Sequence, residues 1–358
     1  MAKKVKIGLV GCGDAARRYY LPTIISSDKI DLVCVCDVVE ERVKKIKEDF
    51  GAKEYYLDYS KMLQKADIEA VVILTNPKYH FSLALEAIKV GKHVYTEKTM
   101  GLTLEEVDTL IKKAEEMKVK LAAAPAVILS PVNQRIKKII KKGLIGKVCF
   151  VCAHSSHGGP ASWDNFATDP TWFYKEGAGP LFDLGVYALH TLTGILGPAK
   201  RTTAFSGISI PEVIVRSGVV KGKKIKVEVD DNTLLLLDFG NNTFAYVDAT
   251  FCMKANRGPA TVFYGSEGII TSGAFGNGPL EVYIEKEEDI GIQGWITTSE
   301  TNALNWTPAN GIIHFVECII KDQKPVISAE HARHVMEIML MAYESAKRGE
   351  AKNLTTTF

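Results

Sequence analysis

The sequence predicts an α/β fold: an N-terminal doubly wound parallel sheet plus a C-terminal α+β domain with a large open, mostly antiparallel sheet. Three observations predict it. Short, nearly continuous apolar runs alternate with amphipathic stretches over the first 125 residues. The first of those runs ends in the glycine turn "GCGDAA". From residue 200 to about 290 the alternation gives way to long β-like segments joined by turn signals such as "GNNT" and "GSEG". Strands that are apolar along their whole length, separated by amphipathic helices, belong to a parallel sheet covered on both faces.

In order, "KVKIGLVGCG" reads as a strand that ends in glycines and "DAARRYYLPTIISS" as a helix. "IDLVCVCD" is a strand ending in Asp37, and "VEERVKKIKEDFG" a helix stopped by Gly51. "AVVILTN" and "HVYTEK" are strands, with the helix "KYHFSLALEAIKVGK" between them. "TLEEVDTLIKKAEEMKV" is a helix whose Thr103 and Glu106 have capping-box spacing, and "KLAAAPAV" is one more strand. Beyond it come the helix "SPVNQRIKKIIKKGLIG", the strand "KVCFVCAHS", and a stretch of loop plus helix over 160–197 rich in Gly, Trp and Asp. The later strands are "RTTAFSGISI", "KIKVEVDDNTLLLLDF", "TFAYVDATFC", "ATVFYGSEGIITSG" and "LEVYIEK", and helices at about 311–321 and 329–348 close the chain. The expected domains are 1–125, a dinucleotide-binding domain, and 126–325, a substrate-binding and oligomerisation domain, with a closing helix and tail over 326–358.

A chain of 358 residues has room for two domains. A net charge of +2 with dispersed lysines argues against nucleic acid as a partner, and "KKIIKK" reads as one solvated helix face. No apolar run reaches membrane-spanning length, and the N-terminus reads as a strand rather than a signal peptide, so no membrane is expected and the location expected is cytoplasmic. Seven cysteines have no framework spacing. Cys149 and Cys152 lie three apart in a strand and face opposite ways, so no metal site is expected.

The cofactor signal is Gly11, Gly13 and Ala16 in a GxGxxA pattern that follows a strand and opens a helix. Gly11 permits the tight turn, Gly13 lets the backbone approach a pyrophosphate, and Ala16 lets helix and strand pack closely, with Asp14 and Ala15 in the same turn. Asp37 ends the second strand, where a carboxylate accepts the ribose hydroxyls and repels a 2′-phosphate. That pattern favours NAD; Arg42 and the lysines nearby leave NADP open. Ligands of doubly wound sheets lie beyond the carboxyl ends of the strands. Thr75, Asn76, Glu97 and Lys98 therefore join the candidate cofactor edge, and His80 follows in the next turn.

Residue motifs carry a family resemblance over nearly the whole chain. "VGKHVYTEKTMGLTLEE" is similar to the GKHV-x-x-EKP signature of the glucose–fructose oxidoreductase, inositol dehydrogenase and rhizopine-catabolism (Gfo/Idh/MocA) family. "GAGPLFDLGVYALHTLTGILGP" resembles its GGG-x-x-x-D-x-G-x-H/Y segment, "LTNPKYH" its T-P-x-x-x-H turn, and "ISAEHARHVMEIMLMAYESAKRG" its closing helix. The resemblance implies a Rossmann domain, a C-terminal open sheet that serves as an oligomer interface in a homodimer or homotetramer, and NAD(P)-dependent hydride transfer at a secondary alcohol or carbonyl of a sugar, polyol or cyclic diol. It gives Lys98 the place of the family lysine, Asp183 that of the family aspartate, and Tyr187 that of the family His or Tyr.

The chemistry of those residue types agrees. Asp183, Tyr187 and His190 fall at helical spacing, and positions i and i+4 share a helix face. A tyrosine beside a lysine cation is a proton acceptor, and a lysine stabilises charge developing on oxygen. Whether Tyr187 or Lys98 carries the proton stays open, as does a core role for Tyr187. His154, His157, Trp163, Asn165, Trp172 and His190 are candidate substrate contacts, since aromatic walls suit sugar rings. Thr99 stands where the family has proline, "TNP" inverts the usual "TPN", and Tyr187 in place of His leans toward the glucose–fructose oxidoreductase and dimeric dihydrodiol dehydrogenase side. Two other functions compete: a glycoside hydrolase with redox-assisted chemistry on bound NAD, and a non-enzymatic cofactor-binding sensor, against which Lys98, Asp183 and Tyr187 argue because a sensor has no need of them together.

Overall fold

The computed structural model describes residues 3–164, 168–274, 279–285, 291, 293–298 and 306–358. The chain divides into two compact units, Met1–Ala126 with Thr307–Met336, and Val127–Trp306 with Glu337–Phe358.

The first unit holds a six-stranded sheet of β1 (Val5–Val10), β2 (Ile30–Cys36), β3 (Glu54–Tyr56), β4 (Ala70–Ile73), β5 (His93–Thr96) and β6 (Leu121–Ala123), in the order β3-β2-β1-β4-β5-β6. Every pairing is parallel. The strand order reverses between β1 and β4, which makes the carboxyl ends of those strands the crevice of a doubly wound sheet. The helices between strands are α1 (Leu21–Ile25), α2 (Glu40–Phe50), α3 (Tyr59–Lys65), α4 (His80–Lys89) and α5 (Leu104–Glu116). Gly51 closes α2 at φ 72°. Thr103 caps α5 by accepting from the Glu106 N–H, and Glu106 returns a bond to the N–H of Leu102, so the expected capping box closes one residue early.

The first helix departs from its expected form. Ala16–Tyr20 is a π turn that leads into α1. Pro22 has no N–H to give to the preceding turn, so the ordinary i→i−4 ladder breaks there and the wider turn takes its place.

The second unit is built on a nine-stranded sheet. In chain order its strands are β7 (Val148–His154), β8 (Arg201–Gly207), β11 (Asn232–Gly240), β12 (Thr243–Thr250), β13 (Thr261–Gly265), β14 (Gly268–Ser272), β15 (Leu280–Ile284), β16 (Gly294–Thr298) and β17 (Lys352–Asn353). They are ordered β16-β15-β14-β13-β7-β12-β11-β8-β17, with β12 and β7 parallel and the other neighbours antiparallel. The short strands β9 (Glu212–Ile214) and β10 (Lys224–Lys226) form a separate hairpin. Helices α6 (Pro131–Lys141) and α7 (Val186–Leu196) belong to this unit, and a second π turn, Leu181–Gly185, precedes α7. A Cβ on Gly185 would lie 2.7 Å from Leu181 and 3.0 Å from the Cβ of Ala249 on β12, so glycine is what lets this turn approach the sheet.

Along β11 the run of four leucines splits by face. Leu235 and Leu237 are buried, while Leu234 and Leu236 are exposed. The exposed side also carries Phe150, Phe205 and Phe244. Helix α8 (Asn310–Ile320) packs in the first unit, where Phe315 meets Tyr95 at 5.8 Å between ring centroids. Helix α9 (Ala329–Arg348) begins in the first unit and contributes Glu337 onward to the second. There Glu337 is buried, and its carboxylate accepts from the N–H and hydroxyl groups of both Thr355 and Thr356, which holds the tail. No helix among the described residues is long and apolar enough to cross a membrane.

Candidate functional site

The carboxyl edge of the first sheet brings the glycine turn, Asp37, Thr75 and the Glu97–Lys98 pair together by topology. Gly11 has φ +93°, and a Cβ there would meet the backbone of Leu74 and Thr75 at 2.7–2.8 Å. No other residue fits that contact, because the obstacle is backbone and cannot move aside. Gly13 is the converse: a Cβ added to it would meet nothing within 4 Å, so the turn offers open space to whatever approaches it. Ala16 is fully buried where the π turn meets the sheet.

Asp37 is held from two sides. Its Oδ2 accepts from the N–H of Cys12 at 2.8 Å and its Oδ1 from the N–H of Val39 at 2.9 Å. The carboxylate thus spans the glycine turn and the end of β2, and each oxygen keeps a further lone pair for a ligand hydroxyl. An obligatory glycine, an open glycine and an anchored carboxylate fit a dinucleotide with an unmodified ribose. The cysteines around the turn are not reactive groups. Burial pushes the Cys12 thiol up, helped by Asp37, and burial pushes Cys34 and Cys36 up to about 12.

At the ends of β4 and β5 the expected residues are buried or half-buried, and several of them act as supports. Asn76 caps the short turn Pro77–Tyr79 by accepting from the Lys78 N–H, which explains the order "TNP" locally. His80 is fully buried, with both ring nitrogens on backbone carbonyls. Glu97 is a brace: its Oε1 accepts from the Tyr20 hydroxyl at 2.5 Å and its Oε2 from the Lys98 N–H at 3.0 Å. Tyr20 is in turn 3.2 Å from the Tyr95 hydroxyl, and burial together with Glu97 pushes its own pKa well up, so it stays a donor. Lys98 is half-buried at the strand end, and the Lys98–Thr99 peptide is cis.

In the second unit, Asp183 lies within the π turn rather than a regular α-helix and is 9% exposed, while Tyr187 is the second residue of α7 and is half-buried. Tyr187 lines a small polar cleft with Asn133, Ser155, Thr191, Thr261 and Ser272. Asn133 donates to the Val127 carbonyl, and its Oδ1 has no hydrogen-bond partner among the described residues. His190 is buried within α7 and belongs to the core. His154 pairs with Asp248, Nδ1 to Oδ2 at 2.5 Å, and Ser156 donates to the other oxygen of that carboxylate. His157 stacks on Phe251 with ring centroids 5.6 Å apart and meets Trp163 edge-on at 5.3 Å; its Nδ1 accepts from the Gly159 N–H. Trp163 and Trp172 both border Phe173, so three of the aromatic candidates form one wall. Asn165 lies outside the described residues.

Sequence reasoning missed Tyr20, Asp248, Ser156 and Asn133. Asp248 had a signal, since it interrupts the apolar alternation of "TFAYVDATFC". The others had none, because their partners lie 75 or more residues away or were placed by a turn type that no motif announces.

Comparison with known proteins gives the family of the chain and agrees with its fold. Residues 5–124 match the family model GFO_IDH_MocA, described as an oxidoreductase family with an NAD-binding Rossmann fold, and residues 133–271 match the GFO/IDH/MocA C-terminal domain. Over 148 residues the chain is 31% identical to Oxidoreductase P35 of Formosa agariphila, covering 41% of this chain and 46% of that protein. It is 22% identical over 354 residues to the scyllo-inositol 2-dehydrogenase (NAD(+)) of Bacillus subtilis, covering 98% and 96%. The chain spans about half the length of several curated relatives, including 58% and 54% of two uncharacterised oxidoreductases from Synechocystis and Rhizobium meliloti. A levoglucosan dehydrogenase solved with NADH and levoglucosan superposes with a TM-score of 0.84 at 19% identity, over 99% of this chain and all of that one, and shares the fold.

Proposed function

The chain belongs to the GFO/IDH/MocA oxidoreductase family, and on that premise we propose that it transfers a hydride between a nicotinamide dinucleotide and a secondary alcohol or carbonyl of a sugar, polyol or cyclic diol. One observation carries the reading: Gly11, Gly13, the anchored Asp37 and Lys98 all fall on one sheet edge. The names of the relatives, an inositol dehydrogenase and a D-glucoside 3-dehydrogenase among them, support the substrate class. NAD is the cofactor favoured, since Asp37 stands where a 2′-phosphate would have to lie.

When bound, the nicotinamide supplies the hydride acceptor or donor. The chain supplies the rest. Gly11 and Gly13 admit the pyrophosphate, and Asp37 takes the ribose hydroxyls. Tyr187 accepts the hydroxyl proton as the carbinol hydrogen leaves with its electron pair. Lys98 stabilises the negative charge that gathers on the substrate oxygen, and Asp183 orients the substrate or the lysine. His157, Trp163 and Trp172 offer ring faces to the apolar side of a sugar. A second copy of the chain covers the exposed apolar face of β11 and its neighbours, giving a homodimer or homotetramer. The seven free cysteines suit a reducing, cytoplasmic setting.

The test follows nicotinamide absorbance with NAD or NADP against a panel of sugars, cyclitols and cyclic diols, with Lys98→Met and Tyr187→Phe beside the wild type. Turnover that each substitution lowers by about a thousandfold or more, with cofactor binding kept, is the expected result. Cofactor binding without turnover on a broad panel sinks the reading. The pH profile of residual alcohol oxidation separates the two proton carriers: an acid limb, where activity falls as the acceptor is protonated, that disappears in Tyr187→Phe and persists in Lys98→Met assigns the proton to the tyrosine.

A further inference from the structure

His80 opens α4 and is completely buried. Its Nδ1 lies 2.7 Å from the carbonyl oxygen of Thr99, and its Nε2 lies 2.9 Å from that of Thr75. A carbonyl oxygen can only accept. A neutral imidazole has one N–H and one lone pair, so it satisfies one of these oxygens and presents lone pair to lone pair at the other. In the interior such a contact costs about 1–3 kcal/mol. An imidazolium has two N–H groups and satisfies both carbonyls.

We infer that His80 is a positively charged positioning residue, whose doubly donating ring ties the turn after β4 to the turn that carries Lys98. The two carbonyls belong to the turns that follow the neighbouring strands β4 and β5 on the cofactor edge. The ring therefore acts as a strut between Thr75 and Thr99, one residue beyond Lys98. The ionisable groups that act on it are Glu97, which favours the charged ring, and Lys98, which opposes it. Burial opposes it as well, is the largest single influence, and draws the pKa below the ordinary imidazole value even against the pull of the two carbonyls. Against that pull stands the geometry: loss of either proton turns one of two short attractive contacts into a repulsive one. The inference deepens the proposed function, since Lys98 is the residue held, but its tests use the full chain without cofactor or substrate. Its failure and the failure of the proposed activity are therefore separate events.

The first test is ¹⁵N NMR of the ring nitrogens in protein labelled at histidine, at neutral pH. The His80 signals are those missing from His80→Gln. Two proton-bearing nitrogens of imidazolium type are expected; one protonated and one bare nitrogen overturns the charge. Should His80→Gln not fold, replacing each of the remaining histidines in turn by Asn identifies the His80 pair by elimination. The second test is amide hydrogen exchange, which reads the strut directly. Peptides over 74–80 and 96–103 are expected to exchange about tenfold faster in His80→Gln, with the rest of the first unit unchanged. Equal protection in those peptides overturns the positioning role, and His80→Asn repeats the measurement if the longer side chain is not tolerated.

Discussion

The two sheets are made of strands of similar apolarity and resolve it in opposite ways. In the first sheet, neighbouring residues Val71 and Val72 on β4 are both fully buried, because helices cover both faces. In the second, neighbouring residues Leu236 and Leu237 on β11 differ completely: Leu236 is 51% exposed and Leu237 1%. Phe205, directly across from Leu234 and beside Leu236, is 84% exposed. A run such as "TLLLLDF" does not announce which of these it will be. The difference teaches that apolar content alone does not measure burial; the period of the covering layer does.

Paired aspartate substitutions break or sharpen that contrast. Val71→Asp and Val72→Asp should each prevent stable folding of the first unit, since both bury an unpaired carboxylate at a cost above about 4 kcal/mol. Leu237→Asp should do the same to the second unit, and Leu236→Asp should not. Urea unfolding followed by far-ultraviolet dichroism checks all four, and equal losses from Leu236→Asp and Leu237→Asp would remove the contrast altogether.

Next in size is the clamp on the tail. Glu337 is 3% exposed and gathers five hydrogen bonds from Thr355 and Thr356. Glu337→Ala leaves those donors unmatched and should cost about 2–4 kcal/mol in unfolding free energy. Burial pushes this carboxyl pKa up, but the threonine donors outweigh it and hold it below its ordinary value of 4.5. A depressed folded pKa contributes stability that is present above the ordinary carboxyl range and lost as pH falls through the folded pKa. The acid limb of unfolding stability should therefore be shallower in Glu337→Gln than in the wild type; parallel limbs would show that the clamp carries no such linkage.

The smallest effect on stability, and the most direct on assembly, belongs to the open face. Leu236→Asp should change unfolding free energy by less than about 1 kcal/mol while shifting the mass in solution toward the single chain, read by light scattering. A wild type already of single-chain mass at micromolar concentration would refute the covering copy.

What was legible in the residues follows the same division. The glycine turn, the parallel order of the first unit, the capping at Thr103 and the mostly antiparallel second sheet all rest on local signals, and local signals survive folding. Asp37 was readable because its role depends on where its strand ends. The supports were not. Glu97 read as a cofactor contact, and nothing in the motif shows that it also braces Lys98 and takes a bond from Tyr20, a partner 77 residues earlier. The helical spacing of Asp183 and Tyr187 gave no hint of the π turn, in which Gly185 comes close to Ala249 on β12. A sequence motif records which groups stand at an edge; which of them face outward depends on partners the motif does not contain.

The anchoring of Asp37 has one more consequence, for how such a chain can change over generations. The N–H groups of Cys12 and Val39 are held in place by the glycine turn and the strand end, not by the carboxylate they now serve. Substituting Asp37→Ser would remove the negative charge and turn the same two amides into donors for an anion, with Arg42 in the next helix to add its charge. The ratio of dissociation constants for NAD and NADP should then move by about tenfold or more toward the phosphorylated cofactor, and an unmoved ratio would count against it. Preference between the two coenzymes would sit a single codon from reversal, on a backbone that need not change at all.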